Sequence, residues 1–169
     1  MTSLGLPPLV DVEVVAAARY AAVRSLARAI KDPDNRDAIL TAAELMAPFV
    51  PGGAALVPAP PADPESPTAA ATYLLAREIT SLVADTHVET LVVRETPIMS
   101  SHKRRQLGLS TPTVREHLRT MLLVKAPPQG WKLVLIDNVI TGGATLQAMQ
   151  QLIGRPVYAV VLADASRRV

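Results

Sequence analysis

The feature that most constrains this chain is a strand–turn–helix pattern in its last third. An apolar run at 132–136 predicts a buried strand, and the polar pair Asp137 and Asn138 stands at its carboxyl end. A glycine-containing turn at 141–145 follows, and a helix is predicted from Leu146. In a parallel α/β sheet ligands bind at this step, and the free N–H groups of a helix start favour an anion. The pattern predicts a phosphate site; the alternative is an ordinary strand-to-helix turn with an Asp cap.

The rest of the chain alternates between helical and strand patterns that are joined by short turns. Such alternation predicts an α/β fold with a mostly parallel central sheet flanked by helices. The predicted helices are 10–31, a second one that begins at Asp32-Pro33 and ends near Pro48, 68–84 after a Ser66-Pro67 cap, and one from Leu146 to near Ile153. The predicted strands are 54–57, 89–93, 121–125, 132–136 and 156–162. We expect one domain over 1–169, with a helical amino-terminal segment at 1–50 and a core at 51–169.

The amino-acid composition excludes several kinds of site and favours one kind of ligand. Cysteine is absent, which excludes a disulfide framework, a cysteine zinc site and a cysteine nucleophile. The net charge is +2, but residues 94–119 carry six basic and two acidic side chains, a local charge of +4. A basic segment on a near-neutral body suits an anionic small ligand at least as readily as nucleic acid. Residues 95–120 show little periodicity and predict a functional, mobile loop.

Two further expectations concern location and metals. The start of the chain lacks the charged-then-apolar layout of a signal peptide, and no apolar run is long enough to span a bilayer. We therefore expect a cytoplasmic protein without a membrane partner. The three histidines, His87, His102 and His117, have no metal-ligand spacing and are predicted to be surface or loop residues.

Residues 135–145, Leu-Ile-Asp-Asn-Val-Ile-Thr-Gly-Gly-Ala-Thr, resemble the phosphoribosyl-pyrophosphate (PRPP) signature of type I phosphoribosyltransferases. That pattern is an apolar strand, two acidic residues, two apolar residues and Thr-Thr-Gly-x-Thr. This chain departs from it at Asn138, in place of the second acid, and at Gly142, in place of the second Thr. The resemblance implies the type I phosphoribosyltransferase fold with a helical amino-terminal hood. It also implies PRPP as ligand, Mg²⁺ carried by PRPP rather than bound directly by the protein, and transfer to a nitrogenous base.

Shorter pieces narrow the resemblance to the competence-protein ComF family. Leu-Val-Pro-Ala-Pro at 56–60 is similar to that family's Val-Pro-Val-Pro strand end. Gln-Leu-Gly-Leu-Ser at 106–110, followed by Arg115-x-His117, is similar to its Gln-x-x-Leu-Ser…Arg-x-x-Asn segment. The family's cysteine zinc finger is missing here, and the basic run expected after the strand end is replaced at 62–66 by Ala-Asp-Pro-Glu-Ser.

The resemblance assigns roles to three groups of residues. The turn gives backbone N–H groups, with the hydroxyls of Thr141 and Thr145, to the 5′-phosphate. Asp137 and Asn138, the catalytic candidates, accept from the ribose diol near the developing positive charge. The PRPP-binding set is Asp137, Asn138, Val139, Ile140, Thr141, Gly142, Gly143, Ala144 and Thr145. The pyrophosphate and lid candidates are Ala59, Pro60, Arg94, Lys103, Arg104 and Arg105.

Two functions remain open. One is a phosphoribosyltransferase acting on PRPP and a nitrogenous acceptor. The other is a PRPP- or nucleotide-binding protein of low turnover with a regulatory, DNA-uptake or DNA-processing role, as in the ComF family. An amide at Asn138 can bind a hydroxyl but supplies no negative charge, so Asn138→Asp is predicted to raise turnover in a transferase. Nucleic acid is the weaker partner, because an aromatic content of 3% offers little for base stacking. A homodimer is left open.

Overall fold

The computed structural model describes residues 12–155 and 157–165. In chain order the elements are β1 (Glu13–Arg19), α1 (Tyr20–Ala29), α2 (Arg36–Met46), a short 3-10 helix (Ala47–Phe49), β2 (Ala54–Pro58), α3 (Ala71–Leu82), β3 (His87–Val88), β4 (Val92–Arg94), α4 (Ser101–Gln106), α5 (Val114–Leu118), β5 (Met121–Leu123), β6 (Lys132–Ile140), α6 (Ala144–Ile153) and β7 (Tyr158–Asp164). Within this described part, no helix has the length and apolar character that crossing a membrane requires.

Five strands form one parallel sheet in the order β1-β7-β6-β2-β3. β2 and residues 133–136 of β6 are apolar and buried, which is typical of strands that are covered on both faces. The other two strands, β4 and β5, pair antiparallel in a separate ribbon. The predicted α/β fold with a mostly parallel sheet flanked by helices is therefore confirmed.

Helices cover the two faces of the sheet unequally. Buried residues of α1, α2 and α3 pack with Val134 and Ile136 on one face. Buried residues of α6 and of the β4–β5 ribbon pack with Leu133 and Leu135 on the other. Because side chains alternate along a strand, β6 supplies both layers of the core from successive positions.

The order of the strands creates a crevice between β2 and β6. From β2 the chain passes through α3 to β3 on one side, and from β6 it passes through α6 to β7 on the other side. Neighbouring strands whose connections leave in opposite directions define a topological switch point, and ligands bind outside the carboxyl ends of such strands. The loop after β2 and the turn after β6 both start there.

The predicted helix over 10–31 is wrong for residues 13–19, which form β1 beside β7. Residues 10 and 11 lie outside the described part of the chain. The run of Val and Ala from Val14 to Ala18 has no polar face, and the outer edge of β7 offers it backbone partners along its length. A helix begins only at Tyr20. The segment 1–50 is therefore not wholly helical where it is described, since it also supplies a sheet strand.

Three other boundaries differ from prediction. Asn35 caps α2 by accepting from the Ala38 N–H at 3.2 Å, so the expected start at Asp32 is wrong. Helix α3 starts at Ala71 after Ala70, which provides no side-chain cap, rather than at Ser66-Pro67. Of the strand predicted at 89–93, only residues 92 and 93 lie in a strand, β4, which pairs with β5 instead of the main sheet. The strand that joins the main sheet, β3, ends before residue 89.

The segment 95–120, predicted to be irregular, contains two short helices. Ser100 caps α4 through the Lys103 N–H, and Thr113 caps α5 in a reciprocal box with Glu116. Each side chain provides the acceptor that the first turn of a short helix lacks. Local capping, rather than apolar periodicity, therefore accounts for these helices.

Candidate functional site

The turn between β6 and α6 leaves backbone donors open at the switch point. Helix α6 begins at Ala144, two residues earlier than predicted, after Gly143 in the left-handed conformation at φ 75°. No side chain caps this start, and its first intrahelical bond runs from the Gln147 N–H to the Gly143 carbonyl at 3.0 Å. The N–H groups of Ala144, Thr145 and Leu146 therefore have no acceptor within the helix. Donors arranged in this way favour an anion.

Asp137 lies on β6 rather than after it, because β6 continues to Ile140 alongside β7. The pairing with β2 stops at Ile136, so Asp137 is the first residue of β6 beyond that neighbour. Two positions after Leu135, it points to the same face as α6. Burial raises the pKa of Asp137 to about 6, although the Asn138 N–H donates to its Oδ1 at 2.7 Å. The carboxylate can accept hydrogen bonds from ligand hydroxyls.

Asn138 points to the opposite face. Its Nδ2 donates to the Ala27 carbonyl of α1 at 3.0 Å, and its buried Oδ1 has no hydrogen-bond partner in the described structure. Strand alternation thus separates the side chains of Asp137 and Asn138, and their joint action on a ribose diol stays a prediction. A carboxylate could not make this contact, because an ionised carboxylate cannot donate to a carbonyl. This contact gives the departure from a second acid a structural reason.

The loop after β2 reaches the end of β6. The Ala59 N–H donates to the Ile136 carbonyl at 2.8 Å, which places Ala59 beside the peptide bond between Ile136 and Asp137, and Pro60 follows Ala59 in this loop. The carbonyl of the next residue, Pro61, accepts from Arg94 Nε at 2.7 Å. The loop is therefore held from both sides.

Arg94 is buried with 5% of its surface exposed, so it is not the free lid cation that we predicted. Besides Pro61, its guanidinium donates to Thr120 Oγ1 and to His117 Nδ1, the latter at 3.1 Å. Burial lowers the pKa of Arg94 to about 10, so the group is still charged at neutral pH. Its contacts join the loop after β2, β4 and the end of α5.

His117 links this cluster to the turn. It is buried, with Nε2 3.4 Å from Thr145 Oγ1 in the first turn of α6. Burial first, and then the charge of Arg94, lower the pKa of His117 to about 4, so the ring is neutral at physiological pH. The prediction of a surface or loop histidine is wrong for His117, because it shares the buried face of α5 with Val114, three residues earlier. That helical spacing is the signal in the sequence.

The other two histidines differ from His117 in exposure and contacts. His102 is exposed, as predicted. His87 Nε2 lies 3.3 Å from Glu89 Oε1, and its ring meets Trp131 edge-on with centroids 4.4 Å apart. Across the described residues, no group of three His, Asp or Glu side chains is arranged to hold a metal ion.

The basic residues of α4 divide into bound and exposed side chains. Arg104 Nη2 lies 2.6 Å from Glu116 Oε1, and its Nη1 donates to the Ser110 carbonyl at 3.3 Å. The Thr113 N–H and then Arg104 lower the pKa of Glu116 to about 2, so the pair is charged at neutral pH. Lys103 and Arg105 are exposed. Of the predicted α4 cations, these two are the ones that remain exposed to incoming anions.

A surface pocket of about 590 Å³ lies at the opposite end of the sheet. Glu13, Lys132 and Tyr158, at the amino ends of β1, β6 and β7, are among the residues that line it. Its position is remote from the carboxyl ends of the strands, where α/β sheets bind ligands. Pocket size alone therefore does not mark the candidate site.

A comparison of the chain with protein-family models and with curated proteins finds no match. The site is accordingly defined by its own geometry. It consists of open donors at the start of α6, the Asp137 carboxylate, the loop after β2 and a buried Arg94–His117 pair behind Thr145.

Proposed function

We propose that this chain is a type I phosphoribosyltransferase-like protein that binds PRPP and transfers its phosphoribosyl group to a nitrogenous base. The observation that carries the proposal is the uncapped start of α6 after Gly142–Gly143, at the switch point and next to the strand that bears Asp137. Open N–H donors suit a phosphate, and a carboxylate suits a ribose hydroxyl. One crevice thus offers complementary groups to both parts of a ribose phosphate.

The arrangement suggests how the ligand would be oriented. The 5′-phosphate would take the turn 140–145, and the ribose would lie along β6 near Asp137. The pyrophosphate would then extend towards Ala59 and Pro60, which border the same crevice. Mg²⁺ would arrive with the pyrophosphate. The single carboxylate of the site, Asp137, is compatible with a metal that arrives with its ligand, because Mg²⁺ is commonly held by one or two carboxylates together with substrate phosphate oxygens.

Transfer would break the bond from the anomeric carbon to pyrophosphate and form a bond to a nitrogen of the base. Positive charge develops on the sugar as the leaving group departs, and the ionised carboxylate of Asp137 would stabilise it. The pKa of about 6 leaves Asp137 mainly ionised above neutral pH. Protonation of Asp137 would remove this negative charge, so catalysis would weaken as the pH falls below about 6.

A second candidate is a PRPP- or nucleotide-binding protein with little turnover and a regulatory or DNA-related role. The contact from Asn138 to Ala27 favours it, since the second polar residue of the motif is used for packing. Arg94 and Arg104 are likewise engaged by protein groups rather than by solvent. Fewer charges are then available to stabilise a departing pyrophosphate, whereas binding at the turn is unaffected.

Calorimetric titration with PRPP and Mg²⁺ tests the binding that both candidates share. Absence of binding would refute both. If PRPP binds, a pyrophosphate-release assay over a panel of nitrogenous bases separates them. Release above background with any base supports the transferase, and binding without release with every base supports the second candidate.

A further inference from the structure

The contacts of His117 determine which way the Thr145 hydroxyl can donate. His117 Nδ1 faces Arg94 Nη2 at 3.1 Å, and an arginine can only donate. Nδ1 must therefore accept, so a neutral ring carries its hydrogen on Nε2. That Nε2 faces Thr145 Oγ1 at 3.4 Å, a distance at the long end of hydrogen bonding that ligand binding can shorten.

Thr145 is consequently a hydrogen-bond acceptor towards His117. Its own hydroxyl hydrogen is left for another acceptor, and Thr145 belongs to the first turn of α6, whose backbone groups are donors. A ligand oxygen that accepts is the natural partner. A ligand group that itself carries a hydrogen would meet two donors, the hydroxyl and the backbone N–H groups.

We propose that His117 is a positioning residue, which fixes the Thr145 hydroxyl as a donor and so selects unprotonated phosphate oxygens at the start of α6. This inference rests on the proposed function, since it assumes that a phosphate occupies the turn. The residue that the inference adds, His117, lies on α5 and is not part of the PRPP signature at 135–145.

The charged groups around His117 keep this arrangement constant through neutral pH. Arg94 on β4 and Arg104 on α4 oppose a positive charge on the ring, whereas Glu116 on α5 favours one. Burial and the Arg94 charge dominate, so the ring is neutral. The direction of donation is thus set by contacts and does not switch when the phosphate of the ligand titrates.

Four variants test the proposal by titration with ribose 5-phosphate at pH 7.5. Thr145→Val removes the hydroxyl, and His117→Asn keeps an acceptor for Arg94 but places no donor near Thr145. His117→Gln has an amide nitrogen that reaches about as far as Nε2 and serves as the conservative rescue. We expect Thr145→Val and His117→Asn each to weaken binding about tenfold, the factor for one lost hydrogen bond to a charged ligand. His117→Gln should stay within about threefold of the wild type.

The double variant Thr145→Val with His117→Asn separates positioning from a structural role. If His117 acts through Thr145, the double variant binds about as well as Thr145→Val alone, because coupled residues are not additive. Losses that multiply to about a hundredfold would overturn the proposal, as would full affinity in His117→Asn.

Nitrogen NMR of the His117 ring provides a readout that does not depend on binding. The neutral tautomer with hydrogen on Nε2 is expected at pH 7, and hydrogen on Nδ1 would overturn the proposal. Wild-type protein that binds neither ribose 5-phosphate nor PRPP would refute the proposed function and this inference together. Wild-type binding with additive variants would refute only the role of His117.

Discussion

The two sides of β6 at its carboxyl end are built for different purposes. On the side of α6, the carboxylate of Asp137 is kept at a raised pKa by burial, and the donors of the next helix start are uncapped. On the side of α1, Asn138 uses its amide to hold the Ala27 carbonyl. Adjacent residues thus separate the proposed ligand contact of Asp137 from the packing contact of Asn138, because a strand sends successive side chains to opposite faces. The sequence shows Asp137 and Asn138 only as adjacent polar residues and does not show that they face opposite sides of the sheet.

The largest effect on ligand binding is expected from a substitution that distorts the turn between β6 and α6. Gly143→Val should abolish PRPP binding, at least a hundredfold loss, because a β-branched residue is strained at φ 75° and would reshape the turn. Gly154→Val is a matched control at the other end of α6, where the glycine has φ 74°. Calorimetry should show wild-type affinity for the control. Equal affinity of both variants would refute the assignment of the turn.

The next largest effect is expected at Asn138, on the side of β6 that packs against α1. The sequence pattern predicts that Asn138→Asp raises turnover, but the structure leads us to expect destabilisation by roughly 2–4 kcal/mol, since a carboxylate would face the Ala27 carbonyl. Denaturant unfolding measures this change. Asn138→Ala, which loses the bond without adding a charge, should cost less. An Asp variant as stable as the wild type and faster in pyrophosphate release would restore the original expectation.

Asp137→Asn should have the opposite sign of effect on stability. The pKa of about 6 exceeds the ordinary value of 3.8, so the folded state holds this proton more tightly and loses stability as the pH rises from about 4 to 6. The variant should therefore be more stable at pH 7.5 by roughly 1–3 kcal/mol, and the difference should shrink towards pH 4.

Binding supplies the second half of that test. PRPP affinity of Asp137→Asn should fall, because the ionised acceptor for a ribose hydroxyl is lost. A variant that is both more stable and weaker in binding would indicate that the carboxylate is retained for function. Unchanged stability across the pH range would contradict the raised pKa of Asp137.

The smallest effect is expected at the start of α5, where the side chain of Thr113 caps the helix. Thr113→Ala removes the cap of α5 and should lower the free energy of unfolding by about 1 kcal/mol. PRPP affinity should stay unchanged, because the N–H groups at this start are satisfied within the protein. If Thr113→Ala weakens binding as strongly as Gly143→Val, the contrast between capped and open helix starts is wrong.

Structural features that depend on neighbouring residues in the chain can be predicted from the sequence, whereas those that depend on distant residues cannot. The apolar runs that became β2 and the first five residues of β6, and the end of α6 near Ile153, are short-range signals and were predicted correctly. The strand β1 was missed because a run of Val and Ala suits helix or strand alike, and only the distant edge of β7 decides between them.

Around the candidate site, the sequence predicts the backbone turn but not the directions of the side chains. The position of the turn follows from its glycines, which act locally. The directions of Asn138, Arg94 and His117 depend on partners 111, 33 and 28 residues away in the chain, respectively Ala27, Pro61 and Thr145. Such pairings arise from the folded topology, and no spacing in the sequence contains them.

The pairing of β1 with β7 also has a consequence for the order in which the chain assembles. Glu13 lies opposite Tyr158, so the first described strand must wait for the last one before it can dock. Closing so large a loop is slow, and on a ribosome β1 would emerge long before its partner exists. Helix α1 follows β1 directly and carries the Ala27 carbonyl that holds Asn138. The packed side of β6 is therefore expected to be completed late, after the core strands β2 and β6 have already met.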